Sequence, residues 1–377
     1  MKKTIVLVLA LTSVSAFASK ARLEALGEGG NGSFYIQDNR NMFLNPAAVN
    51  YHKDFLTFEW GTTQTAGTDS VAAPRSEGGF FRSMGALNYG LYLGSQDSAM
   101  GTRRYGASSD ANFTNQNNPV DLFVGGEASS MKWGANLTYS TAETNNAGSF
   151  KKNEDYMALK AGVEMNNLEV FAKTDIVNKA KGATQANDEY KGTLNGSVGA
   201  SYMLNDLKIY GQFAKVNATF KDETGSVVNE SKFADHNYKI GVGRTAAVND
   251  KTKVFTRVEY SVVDTNTKRV DNNHYNTHTM TLPVAIGLEH DALSWLMLRG
   301  SVTQDLWSNA TTDTTAVKRA NNTAVNMGAT LALGSVKLDG LVGTTPAGAA
   351  GAPTSGTGSG ALSLDRLMTR VALRYNF

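Results

Sequence analysis

The sequence has no cysteine, few prolines and no clear excess of charge of either sign. Without cysteine, no disulfide holds the chain together, so its stability must come from another source. The 36 basic residues are nearly balanced by 34 acidic residues, which excludes the basic excess typical of a nucleic-acid-binding protein. We therefore expect no nucleic-acid partner.

Long apolar runs are also missing, except at the start of the chain. Lys2 and Lys3 precede an apolar stretch at residues 4–11, and Ala16-Phe17-Ala18 forms a small-x-small cleavage motif. This pattern predicts a secretory signal peptide over residues 1–18. The apolar stretch is too short for the roughly 20 residues that a membrane anchor needs. No later run predicts a transmembrane helix.

What the sequence does contain is alternation of apolar and polar residues with a period of two. In the stretch FLTFEWG, Leu56, Phe58 and Trp60 share one face, and polar residues occupy the other. The last ten residues, MTRVALRYNF, alternate in the same way up to the final Phe377. A period of two predicts strands between two different environments. Strands are predicted at 53–61, 76–82, 85–95, 119–127, 131–140, 153–164, 167–177, 190–204, 206–217, 234–247, 251–263, 276–290, 293–303, 322–334, 335–343 and 365–377.

The connections between these strands alternate between short and long. Short ones carry Asn, Asp or Gly, as in MNNL (165–168) and LNDL (204–207), and such residues suit tight hairpins. Long polar ones include 95–119 and the Gly-rich stretch 345–360. This order predicts an all-β, transmembrane, antiparallel up-and-down barrel of about sixteen strands. Short turns are expected on the periplasmic side and long loops on the extracellular side.

Two alternatives bear on this fold. If EGGFFRSM (77–84) is a loop, the strand count falls to fourteen. A secreted β-sandwich also has alternating strands. Strands of ten or more residues, the regular alternation of loop lengths and the terminal aromatic residue all favour the barrel.

The C-terminal strand resembles that of Gram-negative outer-membrane barrels, in which a final Phe follows apolar residues at every second position. The matching residues are Val371, Leu373, Tyr375 and Phe377. The resemblance implies an outer-membrane location, contact with outer-membrane lipid, and recognition of this strand by the barrel-assembly machinery. Porins of this kind commonly form homo-oligomers, and the small residues around Gly196 and Ala200 suit contact between protomers.

The N-terminal region carries a second resemblance. Residues 19–61 are similar to the start of porin-like major outer-membrane proteins from Bdellovibrio-type predatory bacteria, and Asn45-Pro46-Ala47 is similar to an element of FadL-type transporters. FadL-type proteins have a plug of about forty residues before the barrel. Only residues 19–52 precede the first strand here, which is shorter than such a plug. Around Asp38 to Val49 we expect either a small periplasmic or lumen-inserted cap, or a turn that closes the barrel bottom; we favour the turn. The barrel itself is expected over 53–377.

Charged residues alternate with the apolar stripe and are expected to line a water-filled lumen, because charges cannot lie unpaired in a dry core. They form either a surface with weak anion preference or an ordinary wall of paired charges. The lumen candidates are Lys132, Lys173, Lys239, Arg257, Glu259, Arg299, Arg370 and Arg374. The long loop 95–119, with Arg103, Arg104 and Asp110, is the candidate constriction of the pore.

Catalytic and metal-binding signatures are weak. His274 and His278 are four residues apart, but on a strand this spacing separates them by roughly 13 Å. No cofactor, metal site or enzymatic activity is expected. The resemblance implies passive diffusion of small hydrophilic solutes or ions. The alternatives are a structural or lipid-organising protein with a closed lumen, and FadL-like transport of a hydrophobic substrate.

Overall fold

The computed structural model describes residues 19–63, 75–95, 113, 118–146, 150–183, 185–224, 227–268, 274–313, 315–318, 323–344 and 367–377. Two short α-helices, α1 (Lys20–Ala25) and α2 (Asn41–Leu44), and a 3-10 helix (Pro46–Asn50) precede the strands. Within the described residues, no helix is long and apolar enough to cross a membrane.

The rest of the described chain is β-structure. The strands are β1 (Phe55–Thr63), β2 (Arg75–Met84), β3 (Leu87–Leu93), β4 (Val120–Ala128), β5 (Met131–Asn146), β6 (Phe150–Met165), β7 (Leu168–Lys181), β8 (Glu189–Gly192), β9 (Gly196–Leu204), β10 (Leu207–Thr224), β11 (Val227–Asn249), β12 (Thr252–Lys268), β13 (His274–Leu293), β14 (Leu296–Thr312), β15 (Thr315–Lys318), β16 (Thr323–Leu333), β17 (Val336–Thr344) and β18 (Leu367–Asn376).

These strands form one closed antiparallel barrel with sixteen wall positions. Strand β1 pairs with both β2 and β18, which closes the sheet and leaves no edge. Strands β8 and β9 share one position between β7 and β10, and β15 and β16 share another beside β14. The prediction of sixteen strands is confirmed. Residues 77–84 belong to β2, so the alternative of fourteen strands is wrong.

Tight turns gather at one end of the barrel, which we call the turn end. Among the described residues, seven two-residue turns join neighbouring strands there. Asn166, Asn205, Gly85 and Gly334 have positive φ in these turns, as the sequence pattern predicts. The opposite end, from which the longer connections leave, is the loop end.

The two faces of the wall differ as the alternation predicts. In β4, Leu122 and Val124 are exposed on the outer face, whereas Asp121 and Phe123 are buried on the inner face. The same exposure of large apolar side chains continues around the barrel, for example at Ile286. A continuous apolar band of this kind is stable against hydrocarbon and not against water.

The C-terminal strand completes the wall. Val371, Leu373 and Tyr375 alternate with the inward-facing Ala372 and Arg374. The backbone N–H of Phe377 donates to the carbonyl oxygen of Asp54 at 3.1 Å, so the ladder with β1 continues to the last residue.

Residues 19–52, which we call the plug segment, lie inside the barrel. Helix α1 contacts β14, β16, β17 and β18. The 3-10 helix contacts β3, β4, β5 and β6 on the opposite wall. The segment therefore crosses the lumen from one wall to the other. A turn that merely closes the barrel bottom, the arrangement we favoured from the sequence, would not make these contacts.

Candidate functional site

Inward-facing glycines make room for the plug segment. A Cβ at Gly134 would lie 2.2 Å from the carbonyl oxygen of Pro46, and one at Gly162 would lie 1.9 Å from Oδ1 of Asn45. A Cβ at Gly243 would meet the Tyr35 ring at 2.2 Å. Since these distances are far below van der Waals contact, a side chain at any of these three positions would displace the plug segment.

The negative charges of two buried wall carboxylates are balanced by cations of the plug segment. Glu59 on β1 and Glu77 on β2 are directly opposite each other in the ladder, and both are buried. Like charges in this position repel. Lys20 of the plug segment contacts both carboxylates. Its Nζ lies 2.6 Å from Glu77, and its backbone N–H donates to Glu59 at 2.9 Å.

Arg40 supplies the second positive charge at this pair. Its Nη1 lies 3.8 Å from Glu59 and 3.6 Å from Glu77, and it donates to the Tyr92 hydroxyl at 2.8 Å. Its guanidinium also lies over the Phe43 ring, 3.9 Å from the centroid. Only 1% of the Arg40 side chain is exposed. The charge of Arg40 is thus held by Phe43 of the plug segment and by wall residues of β1, β2 and β3.

A second group of buried charges surrounds Arg22. Arg22 lies 2.9 Å from Asp38 and 2.8 Å from Glu289. Glu289 in turn lies 3.4 Å from Arg299, and Arg299 lies 3.1 Å from Asp339. These contacts tie the plug segment to β13, β14 and β17.

Two further ion pairs join the plug segment to the wall. Arg257 on β12 lies 2.8 Å from Glu28, and Arg370 on β18 lies 2.7 Å from Glu24. The Tyr35 hydroxyl donates to Glu28 at 3.0 Å. The plug segment is therefore bound through charged groups on both sides of the barrel.

Burial shifts the pKa values of plug groups. Desolvation raises the pKa of Asp38, and Arg22 opposes this shift. Desolvation, reinforced by the positive charges of Arg374 and Arg22, lowers the pKa of His52 to about 3. His52 therefore stays neutral across the physiological pH range.

Cavities lie beside the plug segment in the part of the barrel that the structure describes, and two of them approach each other from opposite ends. The larger, of about 550 Å³, lies towards the loop end and is lined by residues such as Asp121, Lys173 and Glu259. The smaller, of about 370 Å³, lies towards the turn end and is lined by residues such as Glu164 and Lys208. Both are lined by Ser33, Phe34 and Leu44. These three plug residues separate the two cavities.

The larger cavity combines aromatic rings with loosely paired lysines. Phe34 stacks on Tyr210 with ring centroids 4.4 Å apart. Lys173 lies 3.9 Å from Asp175, with 26% of its side chain exposed, and Lys239 lies 3.9 Å from Glu259, with 37% exposed.

The carboxylates of this cavity have close neutral donors. Asp175 accepts from the Tyr156 hydroxyl at 2.8 Å, and Glu259 accepts from the Tyr210 hydroxyl at 3.0 Å. The lysine ammonium groups therefore present more of their charge to solvent than the carboxylates do.

The loop-end mouth is narrowed by an aromatic side chain. Phe113, from the connection between β3 and β4, is buried against the inner-facing Tyr190 and Phe220. Its ring packs on the Phe220 ring at 5.4 Å. Because these rings belong to β8 and β10, Phe113 packs against strands that are several wall positions away from β3 and β4.

The predicted lumen residues all lie on the inner face, in three different settings. Lys173, Lys239, Arg257 and Glu259 line the larger cavity. The Lys132 ammonium lies over the Tyr51 ring, 4.7 Å from its centroid. Arg299, Arg370 and Arg374 contact plug or wall groups instead.

The expectation of a water-filled surface is wrong for Arg299 and Arg374, which are buried. The plug segment displaces water there, and carboxylates or the Phe55 ring take its place. Arg103, Arg104 and Asp110 lie outside the described residues. His278 pairs with Asp264, and no group of three metal-ligating side chains occurs in the described part of the chain.

The sequence reasoning missed the plug cations Lys20, Arg22 and Arg40. The sequence shows only that three bases precede a barrel whose predicted inner face carries acids such as Glu59. The pairing depends on the lumen being occupied, and strand alternation gives no information on that.

No family model matches the chain, and no curated protein matches it. Among solved structures, the chain is similar to an OmpT loop-deletion mutant, an outer membrane protein of Vibrio cholerae (10% identity, 86% of this chain and 98% of that chain covered, TM-score 0.46). It is also similar to the CymD monoaromatic hydrocarbon channel (9%, 96% and 98%, TM-score 0.43) and to a porin (12%, 86% and 99%, TM-score 0.38). Similarity at this level assigns no solute to this chain.

Proposed function

We propose that the protein is an outer-membrane channel that passes small hydrophilic solutes by diffusion, with a preference for anions. The apolar outer band and the closed barrel support a membrane location. We further propose that residues 19–52 act as a resident plug that restricts the route to one side of the lumen.

One observation carries this proposal. The two cavities approach each other from opposite ends of the barrel and share Ser33, Phe34 and Leu44 as lining residues. A route between the ends of the barrel is therefore interrupted by a few side chains of the plug segment. Small movements of Phe34 and Leu44 would join the cavities without breaking the buried ion pairs on the other side.

The anion preference follows from the lining of the larger cavity. Lys173 and Lys239 hold their partners at 3.9 Å, whereas the carboxylates also accept from neutral tyrosine hydroxyls. Solvated cations along a pore raise the local concentration of anions.

The test is the single-channel conductance of the refolded protein in a planar bilayer under a salt gradient. We expect steady openings with a reversal potential that favours anions. In Phe34→Ala the conductance should rise, because the shared lining is removed. Cation preference would contradict the assignment of the lysines, and an unchanged conductance in Phe34→Ala would contradict the route.

A structural protein with a closed lumen is the second candidate. The buried ion pairs of Arg22 and Arg40 favour it, because they hold the plug segment firmly across the lumen. Absence of conductance from protein shown to be folded, both as wild type and as Phe34→Ala, would support this candidate. Transport of a hydrophobic substrate has less support, because lysines and carboxylates line the cavities.

A further inference from the structure

A row of lysines crosses the outer face of the wall near the loop end. Lys179 on β7 is directly opposite Lys191 on β8, and Lys232 on β11 is directly opposite Lys268 on β12. Thr219 on β10 lies between the two pairs. All four lysine residues are exposed, and we call them the lysine row.

This arrangement is unfavourable for the wall alone. Like charges that are directly opposite in a sheet are destabilising, because their Cβ atoms lie only about 4.5–5.5 Å apart. The next outward-facing row towards the loop end, which we call the alternating row, avoids the problem. There Lys181 is opposite Glu189, and Lys221 is opposite both Glu189 and Glu230. The same strands therefore pair opposite charges in one row and like charges in the other.

Carboxylates of the wall accompany only two members of the lysine row. Lys179 lies 3.2 Å from Asp155, and Lys232 lies 3.7 Å from Glu230. In the part of the chain that the structure describes, the other two lysines of the row have no carboxylate within 4.0 Å. Exposed pairs such as these two stabilise a protein little, so the row stays available to an outside anion.

Positive charge remains in excess when the neighbouring rows are included. Two rows nearer the turn end, Asp264 is paired with His278. The lysine row, the alternating row and Asp155 together hold six lysines and three carboxylates, namely Lys179, Lys181, Lys191, Lys221, Lys232 and Lys268 against Asp155, Glu189 and Glu230. A surface with such an excess attracts anions.

The lysine row lies beyond the apolar band. On β11 the outward-facing Tyr238 and Ile240 are 46% and 59% exposed, and the Tyr238 ring lies 4.9 Å from the Phe213 ring. Aromatic rings of such barrels mark the membrane interface. Lys232 is six residues from Tyr238, which corresponds to roughly 20 Å along the strand and about 15 Å along the membrane normal.

This height restricts the kind of lipid that could reach the row. The headgroup region of an ordinary phospholipid bilayer is only roughly 5–8 Å thick on each side. A lipid partner must therefore carry its anionic groups on a headgroup that extends further from the hydrocarbon. A saccharide that bears phosphate groups has this form.

We propose that the lysine row binds the phosphorylated saccharide headgroup of a glycolipid in the outer leaflet. Phosphate oxygens are strong acceptors for ammonium groups. A phosphate held between Lys179 and Lys191, or between Lys232 and Lys268, offsets the repulsion within that pair. The inference depends on the loop end facing the outside of the cell, and not on what the channel carries.

The experiment uses the full-length mature protein, refolded in a neutral detergent. The probe is labelled rough-type lipopolysaccharide, which carries lipid A and a phosphorylated core. The variant Lys191→Gln/Lys268→Gln removes one ammonium group from each pair of the lysine row. The matched control, Lys181→Gln/Lys221→Gln, removes the same charge from the alternating row. Circular dichroism checks the barrel, and fluorescence anisotropy measures the dissociation constant at about 0.15 M salt, where screening limits charge effects to about 8 Å.

We expect Lys191→Gln/Lys268→Gln to bind lipopolysaccharide about tenfold more weakly than the wild type, since lysines beside an anionic lipid surface each strengthen binding. The control should lose less than about threefold, because its lysines are already opposite carboxylates. Equal losses in the two variants would overturn the proposal, since the effect would then be one of net charge. Unchanged binding in both would overturn it as well.

A second comparison changes the lipid and leaves the protein unaltered. Dephosphorylated lipopolysaccharide should bind the wild type about tenfold more weakly than the intact form, because the acceptors of the ammonium groups are gone. Equal binding of the two forms would contradict a phosphate site. Binding of phosphatidylglycerol as tight as that of lipopolysaccharide would assign the row to ordinary phospholipid and contradict the extended headgroup. This comparison decides the question even if the lysine variant fails to refold.

Discussion

The two sides of the lumen hold the plug segment by different means. On the side of β1, β2 and β14 to β18, which we call the sealed side, charges of the plug segment and of the wall pair in buried contacts. Arg40 of the plug segment and Arg299 of the wall have 1% and 0% of their side chains exposed. On the side of β6 to β12, which we call the cavity side, cavities lie beside the plug segment, and the Lys173 and Lys239 side chains are 26% and 37% exposed. Apart from the close pair of Arg257 with Glu28, the charges beside the cavities are therefore more exposed to solvent than those on the first side.

The difference comes from how closely the plug backbone approaches the wall. Where it excludes water, each charge needs a close partner, because an unpaired buried charge is very costly. Where it leaves space, charges pair loosely and remain available to solutes. Substitutions on the sealed side should therefore affect stability, whereas those on the cavity side should affect ion selectivity.

The largest effect is expected for Arg40→Met. It leaves Glu59 and Glu77 opposite each other with only Lys20 beside them, so the free energy of unfolding should fall by about 3–5 kcal/mol. Urea unfolding followed by circular dichroism measures this loss. The matched control is Arg244→Met, which removes a half-exposed pair with Asp206 at the turn end and should cost less than about 1 kcal/mol. Equal losses in the two variants would contradict the sealed side.

A smaller loss is expected for Gly134→Val. The new side chain meets the backbone of Pro46, so the plug segment must shift, at a cost of about 1–3 kcal/mol. Trypsin cleavage of the plug segment should accelerate while the barrel remains folded. Gly340→Ala is the control, because a Cβ there has no atom within 4 Å. If the plug segment of Gly134→Val is cleaved by trypsin no faster than that of the wild type, the close approach of Pro46 to β5 does not hold the segment in place.

A pH-dependent effect is expected for His52. An unfolded histidine takes up its proton near pH 6.5, whereas the pKa of buried His52 is lowered to about 3. Between these values the unfolded state binds more protons, so the free energy of unfolding falls as the pH is lowered through this range. His52→Gln should reduce the loss between pH 6.5 and 4.5 by about 1–2 kcal/mol.

The control for this measurement is His274→Gln, at an exposed position on β13. Because the His274 side chain is exposed, this substitution should change the free energy of unfolding by less than about 0.5 kcal/mol. Parallel pH profiles of wild type and His52→Gln would show that His52 is not buried in its neutral form.

The smallest effect on stability is expected on the cavity side. Replacing Lys173 and Lys239 together by Gln should change the free energy of unfolding by less than about 1 kcal/mol per residue, because their pairs are solvated. The reversal potential in a salt gradient should nevertheless move towards cations. The same charge change at the exposed Lys151 and Lys232 should move it less. Equal shifts from both pairs would place the selectivity outside the larger cavity.

The strands of the barrel wall could be predicted almost completely from the sequence, whereas the position of the plug segment in the lumen could not. The stretch EGGFFRSM was the least certain strand, yet it pairs with β1 and β3 as the period of two predicts. Alternation is a local property, and it was enough to predict an inner-face position for Lys173 and Arg257, which line the larger cavity. The burial of Arg299 was not predicted, because it depends on contacts with Glu289 and Asp339 and on the plug segment that covers them.

The sequence by itself determined the strands, the tight turns and the face on which each residue lies. These features follow from the local chemistry of residues one or two positions apart. Only the tertiary structure decided that residues 19–52 cross the lumen and that Glu59 and Glu77 find their cations there. Those contacts join residues tens to hundreds of positions apart, and they exist only because the closed wall brings its inner face around the segment that precedes it.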